Sequence, residues 1–304
     1  MQTTAFKPLT LAIMASTAVG LAGCFSGSSS SESTGSLSLD VTDAPVDSLD
    51  KVQVSFTGVT LKPRDGDRVE IELEDEITVD MLELQEGNAA NLFSDEEVPA
   101  GEYNWILLEL NQDNMFVVES DTGGEVDLRV PSGDQQGLRL VSGFTVPQGG
   151  EANFTIDFDL RAAITDPQGQ DVYFLRPALR LVDNTEVGAI AGTVFPELIS
   201  DACADESGQE YAGAVYVYEG MGVEPFDYSD EQSPLMSAAV NYDEDADEHN
   251  YRAAFLAEGD YTIAYTCDSD DPEAEEALDF RGTRDVSVEA NETQTENFEL
   301  ENAE

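Results

Sequence analysis

The chain runs to 304 residues and carries 64 Asp and Glu against 13 Lys and Arg, a formal net charge of −51. A surface this acidic repels phosphate backbones and anionic headgroups, which excludes nucleic acid as a partner and adhesion to an anionic bilayer through charge alone. Hydrophobic residues still make up 41%, enough to build cores, and two breaks in composition point to two domains. Evenly spread carboxylates with only Lys7, Lys51 and Lys62 as lysines fit a halophilic surface, where counterions screen self-repulsion; local clusters fit divalent-cation sites. The scarcity of lysine favours the first.

Residues 1–23 read as a leader and not as part of the fold. Lys7 supplies a positive start and Leu9 to Leu21 an apolar run too short to stay in a bilayer as a spanning helix. The run ends in Leu21-Ala22-Gly23-Cys24, which resembles a bacterial lipobox, and the resemblance implies a lipoprotein acylated at the Cys24 thiol. Phe25 stands where the inner-membrane retention signal of enteric bacteria has Asp, so the outer membrane is the expected destination, its face left open. Residues 24–35 then form a Ser/Gly tether.

The first domain is expected over residues 36–183. Leu37, Leu39 and Val41 alternate with polar residues, and Val52, Val54 and Phe56 do the same, the period of a half-buried strand. Gly58 breaks the second run, and Val59 and Leu61 resume on the shifted phase, as a bulge would require. Val69, Ile71 and Leu73, then Ile77, Val79 and Met81, continue the pattern. Asn88 to Phe93 is too short to classify, and Leu92 and Phe93 are expected to plug one end of the core. Glu102 to Leu110 is apolar enough for a central strand covered on both faces, with Trp105, the only tryptophan, in the core. Further strands are expected at Met115–Glu119, Val126–Val130, Leu138–Val146, Ala152–Leu160 and Val172–Val182. No twelve-residue stretch keeps a helical period, so the domain reads as a β-sandwich of about nine strands. Asp43 to Pro45, the V-x-V-x-F-x-G-V run Val52 to Val59, Asp157 to Asp159 and Leu175 to Pro177 together resemble a bacterial lipoprotein domain of unknown function, the 4382 family, over roughly Gly35 to Asp183. The resemblance implies the fold and no activity.

After a linker at Asn184 to Glu186, a second domain is expected over residues 188–300. VGAIAGTVF, GAVYVYEG, YRAAFLAEGDYTIAYTC and TRDVSVEANETQTENFEL resemble the transthyretin-like modules found as carboxypeptidase regulatory domains, with Ala257 to Thr262 the most specific piece. Glu224 to Asn250 interrupts the match as a long acidic loop, a common place for recognition, and it offers Phe226, Tyr228 and Tyr242. The fold group includes starch-binding domains, so the resemblance also implies a carbohydrate-binding-like fold. Tyr216, Tyr218, Tyr261 and Tyr265 alternate suitably for a sugar platform if exposed, or form a half-buried stripe if not. Cys203 and Cys267 lie in the exported part at strand edges, where oxidising conditions favour a disulfide.

Three constellations bear on chemistry. Asp243, Asp245 and Asp247 alternate like the start of a calcium loop, but an EF-hand needs Gly at the sixth position and Glu at the twelfth, where Glu248 and Ala254 stand. A loose Ca2+ site there, or at Asp268 and Asp270 in CDSDDPEAEE, is the one cofactor the sequence admits. Asp157 and Asp159 share one strand face opposite Phe154, Ile156 and Phe158, either as an acid–base pair or as polar residues on a wet face. His249 is the only histidine, and no phosphate loop, dinucleotide fingerprint or zinc spacing is present. The expected protein is all-β, two β-sandwiches in tandem, a lipid-anchored, non-catalytic binding or structural module of the cell envelope. Its expected partners are the membrane through the lipid and an envelope protein or glycan. A carbohydrate-binding module is the alternative, and a carboxylate-dependent glycoside hydrolase the second.

Overall fold

A computed structural model describes residues 33–44, 49–85, 87–120, 122–131, 137–167, 171–199, 203, 212–228, 233–268, 270 and 277–299. Cys24, the leader and most of the tether lie outside the described residues, as does Pro45. No helix among the described residues is long and apolar enough to cross a membrane.

The first sandwich is built from β1 (Thr34–Ala44), β2 (Leu49–Pro63), β3 (Val69–Asp80), β4 (Ala90–Pro99), β5 (Gly101–Leu110), β6 (Phe116–Glu119) and β7 (Glu125–Arg129). It continues with β8 (Gly137–Leu140), β9 (Phe144–Val146), β10 (Glu151–Asp159), the one-turn helix α1 (Leu160–Ala163), β11 (Ile164–Thr165), β12 (Tyr173–Leu175) and β13 (Leu179–Asp183). One sheet has the order β13-β10-β1-β4; the other runs β11-β12-β7-β6-β2-β5-β8, with β3 on β2 and β9 on β5. The alternation of β1 dictates its place. Leu37, Leu39 and Val41 are buried and stand level with Ala152, Phe154 and Ile156 of the parallel neighbour β10, so both strands turn the same phase inward. The opposite sheet meets them through Phe56, edge-on to Phe158 at 6.3 Å. In β2 the register shifts between Phe56 and Gly58 against both β3 and β5, and this bulge returns Val59 and Leu61 to the core.

Several expectations are corrected here. The described residues of the sandwich form thirteen strands, not about nine. Leu138–Val146 divides into β8 and β9 around an exposed Val141. Val172–Val182 divides at Arg176 to Ala178, where Pro177 has no N–H for a ladder, and the halves β12 and β13 enter different sheets. The segment at Asn88 to Phe93 opens β4. In β5, Tyr103, Ile106, Leu108 and Leu110 are buried while Trp105, Leu107 and Glu109 are half-buried, so one face only is fully covered. Trp105 is accordingly not a core residue: the guanidinium carbons of Arg68 and Arg139 lie 5.3 and 4.7 Å from its ring centre.

The second sandwich comprises β14 (Val187–Val194), β15 (Ala214–Glu219), β16 (Met236–Ala239), β17 (Asn241–Asp243), β18 (Glu248–Ala257), β19 (Gly259–Thr266), β20 (Phe280–Val288) and β21 (Thr293–Thr295). Its sheets have the orders β17-β18-β14-β21 and β16-β15-β19-β20. Glu224–Asn250 is not one long loop. Met236, Ala238 and Val240 are buried, and Met236–Ala239 pairs with β15, because four apolar residues in MSAAV outweigh the acids around them. Cys203 and Cys267 form a disulfide across 64 residues, with Cα atoms 4.9 Å apart.

The two sandwiches share a device that links strands of different sheets. Pro99-Ala100-Gly101-Glu102-Tyr103 joins β4 to β5, and Ala257-Glu258-Gly259-Asp260-Tyr261 joins β18 to β19. In each the tyrosine hydroxyl donates back to the carbonyl four residues earlier, Pro99 at 2.6 Å and Ala257 at 2.7 Å, which pins the corner. From Ser33 onward the chain forms one compact unit, so the sandwiches meet along a seam.

Candidate binding site at the seam

The seam is organised by the chain reversal after β10. Asp159 caps α1, its Oδ1 accepting from the Ala162 N–H at 3.2 Å, and this turns Arg161 toward the second sandwich. Arg161 is buried. It donates to the Tyr216 hydroxyl at 2.7 Å, and its guanidinium carbon lies 5.8 and 5.4 Å from the ring centres of Tyr216 and Tyr228. The Tyr216 hydroxyl in turn donates to Asp270 Oδ2 at 2.7 Å, and the Tyr228 N–H donates to the same oxygen at 2.9 Å. On the first sandwich, Arg180 donates to Asp157 Oδ2 from Nη2 at 2.5 Å and from Nε at 3.2 Å. Asp43 accepts from the Leu160 N–H at 3.4 Å. Asp43, Asp157, Asp159, Asp227 and Asp270 thus gather around Arg161, Arg180 and Arg252, so that among the described residues carboxylates outnumber guanidinium groups.

That excess sets the electrostatics. Burial raises the carboxyl of Asp157 above its ordinary range, with the Arg180 charge opposing. Burial pushes Asp159 up to about 6; the Ala162 N–H and the charges of Arg161 and Arg180 pull against it, and the Asp157 charge adds to it. Asp270 is raised by burial, against the Tyr228 N–H, the Tyr216 hydroxyl and Arg161. Beside these groups a cleft of about 600 Å³ opens between β10 and β13 on one side and the end of β15 with its following segment on the other. Asp157, Asp159, Arg180 and Glu219 supply its charged lining, and Leu179, Val223, Phe226 and Leu235 its apolar lining, with both kinds on each side.

The sequence-derived candidates fall differently. Tyr216, Tyr218, Tyr261 and Tyr265 are all buried, between 0 and 4% exposed, which removes the sugar platform. They are not one stripe either. Tyr216 and Tyr218 stand level with Ala264 and Thr262 on one sheet face, whereas Tyr261 and Tyr265 stand level with Glu219 and Val215 on the other. The first pair packs in the cluster with Tyr228, and the second lies in the core of the second sandwich. Asp157 and Asp159 are not on a wet face: a second domain covers that face. Asp243 is spent on its own turn, Oδ1 accepting from the N–H groups of Asp245 at 2.9 Å and Ala246 at 3.0 Å, while Asp247 accepts from the Tyr242 hydroxyl at 2.6 Å. Asp268 accepts from the Asp279 N–H at 2.6 Å and Asp270 turns into the seam; residues 269 and 271–276 of CDSDDPEAEE lie outside the described residues. Among the described residues no group of three His, Cys, Asp or Glu is placed to hold a metal ion. His249 is half-buried with its ring 5.0 Å from that of Tyr242. Arg161 and Arg180 were not singled out by pattern; the signal for Arg161 is a cation inside the apolar run Phe158 to Ile164 of a chain with few cations.

No curated protein matches the chain. Three solved structures align over most of it. The Bacillus anthracis TIE protein is 10% identical, over 87% of this chain and 33% of that one, at a TM-score of 0.19. A leucine-rich repeat protein from Bacteroides thetaiotaomicron is 12% identical, over 88% and 26%, at 0.21. The minor pilin of Streptococcus agalactiae is 11% identical, over 86% and 94%, at 0.20. The chain spans a third or less of the first two, and at these scores none of the three bears on function. Residues 34–177, within the first sandwich, match the model of the family described as Domain of unknown function (DUF4382).

Proposed function

We propose that the protein is a non-catalytic structural or binding module of the cell envelope, held to the outer membrane by lipid on Cys24, in which the two sandwiches act as one spacer. The observation that supports this reading is the seam. The carboxylates raised by burial, Asp157, Asp159 and Asp270, are bonded within their own sandwiches to Arg180, to the cap of α1 and to Tyr216 and Tyr228, and the two sides are joined by Arg161, which donates across the seam to the Tyr216 hydroxyl that in turn holds Asp270. Buried polar bonds across a seam fix one geometry, because breaking them leaves desolvated charge without compensation. The acid-rich exterior serves as a surface for high salt, with screening in place of lysine partners.

The test joins membrane fractionation of wild type and Cys24→Ala with a glycoside and ester panel on the purified protein. The expected result is release or failed processing of the variant and no turnover. Unchanged membrane retention would remove the anchor, and turnover lost in Asp157→Asn would make the protein an enzyme.

A further inference from the structure

We propose that the seam cleft binds a small organic cation, an aliphatic amine whose ammonium group is held by Asp159 and Glu219 and whose carbon chain lies along Leu179, Val223 and Phe226. The inference goes beyond the envelope reading and is independent of the anchor. It begins from the cleft itself, about 600 Å³ between the two sandwiches, lined on both sides by charged and apolar side chains. Three of the four charged groups lining it are acids. Arg180 is committed to Asp157, and among the described residues no ion pair joins Asp159 or Glu219 to a cation. Anions are repelled both by these groups and by the net charge of −51. A bare metal ion needs converging ligands, which the described residues do not supply, and leaves the apolar lining unused. A neutral polyol would meet the polar lining but would not offset the carboxylate excess. An alkylammonium meets both kinds of lining and offsets it: its donors match carboxylates, and its methylenes match Leu179, Val223 and Phe226.

Protons compete for the same place. Asp159 faces Asp157, Arg161, Arg180 and Tyr228, with Glu219 across the cleft, and burial pushes it up to about 6. An amine recognises the ionised form, so affinity falls as pH drops through that value, by about tenfold one unit below it.

The experiment is calorimetric titration of the purified protein with 1,5-diaminopentane at fixed, moderate ionic strength, near pH 7.5 and near pH 5. Pentane-1,5-diol serves as the neutral isostere and magnesium as the probe of diffuse counterion binding. The expected result is one saturable diamine site near pH 7.5 that magnesium does not displace at equal ionic strength, no site for the diol, and about tenfold weaker binding near pH 5. Asp159→Asn, which keeps a capping side chain, and the exposed Glu219→Gln are each expected to weaken binding about tenfold. The proposal is overturned by no saturable binding near pH 7.5, by equal binding of diol and diamine, or by diamine binding that neither pH nor either variant changes.

Discussion

The seam and the turn from Asp243 to Asp247 contain the same residue type at similar density, and they behave in opposite ways. In the turn, Asp243 and Asp245 are exposed, and Asp243 Oδ1 accepts from the N–H groups of Asp245 and Ala246. In the seam, aspartates of the same chain are desolvated, raised, and dependent on two guanidinium groups. In a protein with 64 acidic residues, what makes a carboxylate informative is therefore its distance from water and not the company of other acids.

The contrast breaks most visibly at Arg161. Replacing it with Ala leaves Asp270 and its neighbours without their buried cation and opens the space between Tyr216 and Tyr228; the expected loss is about 3–5 kcal/mol of unfolding free energy. A loss below 1 kcal/mol in urea unfolding would mean that the seam contributes no more than a surface contact. Next in size is Cys203→Ser. The disulfide closes a long loop and fixes Cys267 three residues before Asp270, so its removal is expected to lower stability by about 2–4 kcal/mol. Equal stability of the oxidised and reduced wild type would contradict this.

What was legible in the sequence was what a single strand decides alone. The phase shift at Gly58, the alternation of β1 and the pairing of Cys203 with Cys267 depend on local period or on two unmatched thiols, and all three stand in the structure. The seam was not legible because it depends on which face a second domain covers. Asp157 and Asp159 have the pattern of wet-face residues, and it is the second sandwich, whose Tyr218 and Leu235 line the same cleft, that leaves Asp157 buried and Asp159 half-buried. Tyr216 and Tyr261 failed for a related reason: both alternate within their strands, but the register of β15 against β19 puts them on opposite faces. Of the repeated Gly-acid-Tyr corner only the second copy, within Ala257 to Thr262, stood out by pattern, and the meaning of both lies in the hydrogen bonds from Tyr103 and Tyr261 back to Pro99 and Ala257.

A smaller effect, with a distinctive sign, comes from titrating the seam. The folded value of Asp159 is about 6 and its ordinary value 3.8, so between these the folded chain holds a proton that the unfolded chain releases. Stability is therefore gained as pH falls through about 6, and the gain is complete below 3.8; Asp157 and Asp270, raised for the same reason, add to it. The contribution of Asp159 is about 2 kcal/mol after allowing for its partial exposure. Melting temperature is expected to be higher near pH 5 than near pH 7.5, and Asp159→Asn is expected to flatten the difference. Parallel curves for wild type and variant would assign the whole trend to general relief of self-repulsion.

The smallest effect belongs to the other side of the comparison. Asp243 holds its turn through two backbone N–H groups, those of Asp245 and Ala246, and Asp247 sits at φ 59, a left-handed conformation that a short polar side chain tolerates. Asp243→Ala removes both acceptors, but water replaces them at an exposed site, so the loss is expected to be about 0.5–1 kcal/mol. The same variant also tests what the acids of the turn do. If they are only solvated, molar monovalent salt raises the melting temperature of wild type and Asp243→Ala alike, since screening acts on the whole charge distribution. If they hold calcium, millimolar calcium at constant ionic strength stabilises wild type alone, by linkage to the folded state. With Asp243 Oδ1 and Asp247 Oδ1 already accepting from N–H and O–H donors, the first outcome is the expected one, and a calcium shift confined to wild type would move the turn from scaffold to site.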